Sequence, residues 1–153
     1  MPTSVREAAL DEVVRLMRLI GSSASYSATV QPTVSRVRHP NTGLPQMPFI
    51  YVGGAGEDYE RIGSIGAAGT YAKTLHVEVL YVFASANMDQ DVSRAVHDVE
   101  YAIRDWNLGG ASSDVEIQNY AVDAITDAEP VVVVTFQIDV RYRTDDNAPA
   151  TRV

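Results

Sequence analysis

One segment limits what this chain can fold into more than any other: PVVVVTFQIDVRYRTDDNAP, from Pro130 to Pro149. Val132, Val134, Phe136, Ile138, Val140 and Tyr142 alternate onto one face. Val131, Val133, Thr135, Gln137, Asp139, Arg141 and Arg143 take the other. Alternation over this length is the signature of a β-strand. One face is apolar throughout and must be covered. The other starts apolar and turns polar, so it is wet at one end. A second segment, Thr74 to Ala84, behaves the same way: Leu75, Val77, Val79, Tyr81 and Phe83 point one way, and His76, Glu78, Leu80 and Val82 the other. Two such strands need a sheet, and the sheet needs a layer over its apolar face.

Two helices supply that layer. Ser4-Val5-Arg6-Glu7 fits a capping box, in which the hydroxyl accepts from the backbone and Glu7 reaches back. Val5, Ala8, Ala9, Val13, Leu16, Met17 and Ile20 then share a face, and Gly21 stops the helix. Asn87 or Asp89 caps a second helix whose expected buried face is Val92, Val96, Val99, Ile103 and Trp106, with Asp89, Asp91, Asp98 and Glu100 on its solvated side. Gly109-Gly110 ends it.

The remaining strands are shorter or broken. Ala28 to Arg38 contains Pro32, which cannot donate to a ladder, so this strand belongs at an edge or carries a bulge. Pro40-Asn41-Thr42-Gly43 is turn chemistry. Phe49 to Val52 and Val115 to Ile125 are further strands, and Ala128-Glu129-Pro130 is a turn. Between Gly53 and Lys73 lie six glycines in 21 residues, which reads as a long loop, with Asp58 to Ile62 able to form part of a loose hairpin. The fold class expected is α+β: a mostly antiparallel sheet of four or five strands with two helices packed on one face. Residues 1–153 read as a single domain, with the Gly-rich loop 53–73 and a flexible tail 144–153.

The chemistry of the chain is sparse. With 20 acidic against 12 basic residues the net charge is −8, which disfavours a duplex-binding surface. There is no cysteine, hence no disulfide or thiolate chemistry. His39, His76 and His97 have no HExxH spacing or carboxylate ligand set. Gly53-Gly54-Ala55-Gly56 lacks the third glycine and the helix of a phosphate-binding turn. No serine sits in a GxSxG elbow, and Asp145-Asp146-Asn147 lacks the rest of a calcium loop. No catalytic, cofactor or metal site is expected, and no signal peptide or membrane span, so the default location is a cytoplasm. Tyr59, Tyr71, Tyr120 and Tyr142 fall in or near segments expected to be partly exposed, where tyrosine favours interfaces.

The order of these pieces carries a resemblance over nearly the whole chain. A capped helix is followed by PTVSRVR, LPQMPFIYV, a Gly-rich excursion, TLHVEVLYVFA, a helix ending in DWNLGG, and VVVVTFQIDVRYRTDDNAP. This resembles the tail terminator proteins of long-tailed bacteriophages, the lambda-type group. The resemblance implies a structural virion protein at the tail neck. Six copies would form a homohexameric ring on the finished tail tube, stop its polymerisation, and meet the head-side connector or stopper protein. DNA would pass through the channel without specific binding, and no membrane is involved. Interface residues would be Tyr59, Arg61, Ile62, Tyr71, Arg141, Tyr142 and Arg143. Six copies carry six times −8 in formal charge, so an acidic lumen that repels phosphate is expected. Glu57, Asp58 and Glu60 are the candidates to line it, with Arg36, Arg38, Arg141 and Arg143 turned to subunits or partner rings. Two other readings stay open here. One is a different neck protein, a stopper or adaptor; the other is a small enzyme or ligand-binding module, which needs a closed apolar pocket.

Overall fold

The computed structural model describes residues 4–36, 47–62, 70–108, 113–125 and 131–145. The turns at Pro40–Gly43 and Ala128–Pro130, the Gly109-Gly110 stop, Arg38, His39 and the tail from Asp146 lie outside the described residues.

Helix α1 runs Val5–Met17, and the Ser4 hydroxyl accepts from the Glu7 amide at 3.1 Å. The Glu7 carboxylate accepts instead from Arg36, at 2.7 Å, rather than closing the capping box. All seven residues expected on its apolar face are buried. Gly21, at φ 81°, turns the chain away; a Cβ there would lie 3.0 Å from the Val30 carbonyl oxygen, so the turn requires glycine.

Strand β1 is only Thr33–Ser35, because Pro32 bars the ladder from starting earlier. It is followed by β2 (Phe49–Ile62), β3 (Thr70–Ala84), helix α2 (Met88–Ile103), β4 (Ser113–Ile125) and β5 (Val131–Asp145). The sheet order is β1-β2-β3-β5-β4. Only β1 and β2 are parallel; the other neighbours are antiparallel. The proline-limited strand is at an edge, as its chemistry requires.

The span read as a loop is a hairpin. Residues 53–62 belong to β2 and 70–73 to β3, paired from Phe49↔Val82 to Ile62↔Thr70 with one register shift between Gly54 and Gly56; residues 63–69 lie outside the described set. The physical reason is pairing: β3 offers a full backbone ladder, which outweighs the modest cost of glycine inside a strand. The polar tail also begins later than expected, since Thr144 and Asp145 continue β5.

Both helices pack on one face of this sheet. Their buried residues join Ile50, Val52, Leu75, Val77, Val79, Tyr81 and the even-numbered face of β5 in one core. Val132, Val134, Phe136, Ile138 and Val140 are fully buried, each contributing about 1.5–3 kcal/mol of burial. Helix α2 is rotated from expectation: Ala95, Asp98, Val99 and Ala102 are its buried residues, and Val92, Val96, Ile103 and Trp106 pack only partly against the core. Trp106 donates its indole N–H to the Ser113 hydroxyl at 3.0 Å.

Asp98 departs furthest from its expected solvated position, being 1% exposed. Its two oxygens accept from the amides of Ser27 and Ala28 at 2.7 and 2.9 Å. These amides belong to the irregular segment after α1, where no strand or helix supplies an acceptor, so a buried carboxylate satisfies them. Glu12, on α1, does the same for the Asn107 amide, at 2.6 Å, while paired with Arg15.

Candidate assembly interface

Two features of the sheet are left open in this chain: its edges and the face away from the helices. Among the described residues, β4 has no partner on its outer side, and β2 has none beyond Tyr51. β4 is 13 residues long, and the open part of β2 runs from Val52 to Ile62. Natural sheets seldom leave long edges bare unless something covers them. Beside these edges, apolar side chains are exposed: Tyr120 at 49% and Val122 at 38% on β4, and Tyr59 at 64% on β2. By register Tyr120 and Val122 stand opposite Phe136 and Val134. They are therefore on the helix side of the sheet, but neither helix covers them.

Each edge strand carries a bulge. The β2 register shifts between Gly54 and Gly56, and the β4 register between Ile117 and Asn119. The first shift changes which residues of β2 face which way. It puts Glu57 opposite Leu75, on the helix side, and Asp58 opposite Thr74, on the open side.

Glu57 therefore does not line the open face. Its carboxylate accepts from the Tyr142 hydroxyl and lies 3.9 Å from Arg6. Tyr142 is 4% exposed, so within this chain it closes the core. Burial, then the bond to Glu57, pushes its phenol pKa up. Tyr59 remains exposed, with the Lys73 ammonium 5.0 Å from its ring centroid. Glu60, Arg61, Ile62 and Tyr71 have strand backbones in the hairpin, and their side chains lie outside the described set.

The open face is polar and acidic. By register it carries Asp58, Glu78, Asp114, Glu116, Asp123 and Asp139, against His76, Arg141 and Arg143. Arg141 reaches Glu116 at 2.7 Å and Asp114 at 3.5 Å. Arg141 and Arg143 thus share a face with the carboxylates, not a separate surface as expected, and Arg36 is held within the chain by Glu7 and Asp11. His76 sits between Asp58 and Asp139. A cavity of about 300 Å³ opens on this side, lined from Ala55 on β2 to Ala121 on β4. Toward Ala84 and Val131 the same face turns apolar, with Val82 buried and Leu80, Val131 and Val133 half-buried.

A second cavity, about 360 Å³, lies at the start of β2 and is lined by Val30, Pro48, Tyr81, Phe83, Arg94 and Asp98 among others. Burial, with Asp98 nearby, pushes the Tyr81 phenol up to about 12. Among the described residues no cluster of His, Asp and Glu could hold a metal ion, and no helix is long and apolar enough to cross a membrane.

Sequence alternation marked Arg141 as a surface candidate, and the expected partial exposure of its segment marked Tyr120. It missed the bulge at Ala55, which sends Glu57 inward; the Gly-Ala-Gly step was its one visible sign. No family model matches the chain, and no curated protein matches it.

Proposed function

We propose that this chain is a ring-forming structural protein that caps a phage tail tube, as its resemblance to tail terminators implies. The observation that carries the reading is the pair of bare edges. They flank one sheet on opposite sides, and their strands run in opposite directions. A copy rotated about an axis along the strands brings its β2 antiparallel to β4 of its neighbour. That contact is heterologous, and repeated rotation closes it into a ring. Backbone ladder bonds would join the copies, and the neighbour would cover Tyr120 and Val122.

The acidic charge of the open face supports an inward orientation. With the helices outside, Asp58, Glu78, Glu116 and Asp123 would face the channel. Phosphates would meet like charge within about 8–10 Å at physiological salt. Of the expected Glu57, Asp58 and Glu60, Asp58 is retained in this lumen and Glu57 is turned to the helix side, while the Glu60 side chain lies outside the described residues. The ring would stop tube growth and offer its other end to a connector.

The absence of cysteine permits a clean test. Ala55→Cys is combined in turn with Gln118→Cys, Tyr120→Cys or Val122→Cys, all at exposed positions. In one chain these edges are three strand spacings apart, roughly 14 Å, beyond disulfide reach. Oxidation in the presence of cognate tail tubes should give, for at least one pair, a ladder of cross-linked species ending at six. Monomers for all three pairs, or a ladder ending at two, would rule out this interface.

A further inference from the structure

We propose that His76 is a doubly protonated clasp that fixes the register of the distal half of the β2–β3 hairpin and releases it on losing one proton. The geometry is specific. Nδ1 lies 2.7 Å from an Asp139 oxygen and Nε2 lies 2.7 Å from an Asp58 oxygen. An ionised carboxylate only accepts, so both ring nitrogens must donate, and only the imidazolium does that. One cation therefore ties β2, β3 and β5 together on the open face.

The clasp sits where register is most easily lost. The bulge at Ala55 decides which of two adjacent acids, Glu57 or Asp58, faces which way. A one-residue slip would exchange them, placing Glu57 beside His76 and Asp58 beneath Tyr142. Two contacts oppose the slip: Tyr142 to Glu57 on the helix side, and His76 to Asp58 on the open side.

The charges around His76 favour its protonated form. Asp58 faces it from β2, Asp139 from β5 and Glu78 from its own strand, while Glu116 and Asp114 on β4 lie beyond Asp139. Arg141 is the nearby opposing charge, and it is paired with Glu116 and Asp114. Hydrogen bonding to Asp58, then to Asp139, raises the His76 pKa above its ordinary 6.5, with burial opposing. A raised folded pKa means that the clasp's stabilisation is complete below 6.5 and is lost as pH rises through the folded value. After the proton leaves, one nitrogen lone pair faces a carboxylate. Asp58, 80% exposed, can turn to water, whereas Asp139, 11% exposed, cannot. The β2 arm is released, and the bond to Asp139 is kept.

The test is an NMR titration of the histidines in the full chain, with amide exchange of Asp58–Arg61 corrected for base catalysis. The His76 midpoint should lie above 6.5, with both ring nitrogens protonated below it, and Asp58→Asn should lower it. Corrected exchange at Asp58–Arg61 should rise several-fold through that midpoint. In His76→Gln it should be fast at every pH. Because Asp58 is exposed, Asp58→Asn serves as the decisive variant if His76→Gln fails to fold. A midpoint at or below 6.5, or one unmoved by Asp58→Asn, would overturn the clasp. So would exchange that ignores the His76 titration. None of these readouts depends on ring formation, so the proposal stands or falls apart from the assembly reading.

Discussion

In the ring proposed above, Tyr120→Lys combined with Val122→Lys will abolish assembly while leaving the chain folded. Both side chains are exposed in the single subunit, and substitutions at such positions are usually close to neutral. Tyr120 also packs against Phe136, with ring centroids 6.0 Å apart, so a loss of about 1 kcal/mol is expected from that pair. In the ring, the same residues would lie buried beside a neighbour's β2. Lysine there both removes apolar area and blocks an edge, which is how natural sheets protect their edges. A buried tyrosine at the centre of an interface is worth about 2 kcal/mol or more, or roughly thirtyfold in Kd. The contact recurs at every interface of a ring, so the loss is multiplied. The measurement is the cross-linked ladder together with a thermal melt. A vanished ladder with a melt close to that of the parent chain is the expected pair. A full ladder would show that β4 is not the contact.

Phe136→Ala will have the largest effect on the subunit itself, about 3–5 kcal/mol of unfolding free energy. Phe136 is fully buried in the middle of β5 and belongs to the single core shared by both helices. Total stabilities are typically about 5–15 kcal/mol, so this change brings the chain close to unfolding. Urea denaturation of the parent and variant subunits gives the difference. A cost under about 1 kcal/mol would mean that the core is not organised around β5 as described.

The parts of the fold that were legible are those set by local periodicity. Seven apolar residues at helical spacing marked the buried face of α1, and strict alternation marked both faces of β5, including its drift from apolar Val131 to exposed Arg141. Pro32 announced an edge because a missing donor cannot serve a central strand. What stayed hidden depends on partners distant in sequence. Six glycines made residues 53–73 read as a loop, and the bulge at Ala55 broke the alternation that would have marked a strand. Only the ladder from β3 reveals it. Asp98 read as solvated because a carboxylate on a helix normally is. Its burial follows from the Ser27 and Ala28 amides, some 70 residues away, which need an acceptor. The assembly candidates divide in the same way. Arg141 was found on the surface from alternation, and Tyr120 from the partial exposure expected of its segment. Tyr142 and Glu57, expected at an interface and in a channel, lie instead on the helix side, each bonded to the other. The His76 clasp needed the registers of two strand pairs at once.

The ring reading is tested most directly by electron microscopy of cognate tail tubes assembled with and without the chain. With it, tubes should stop elongating, and each should carry a collar of six subunits at one end. The Tyr120→Lys, Val122→Lys variant should leave ends bare and growth unchecked. Tubes that elongate at the same rate with bare ends, in the presence of excess folded parent chain, would contradict a terminating role.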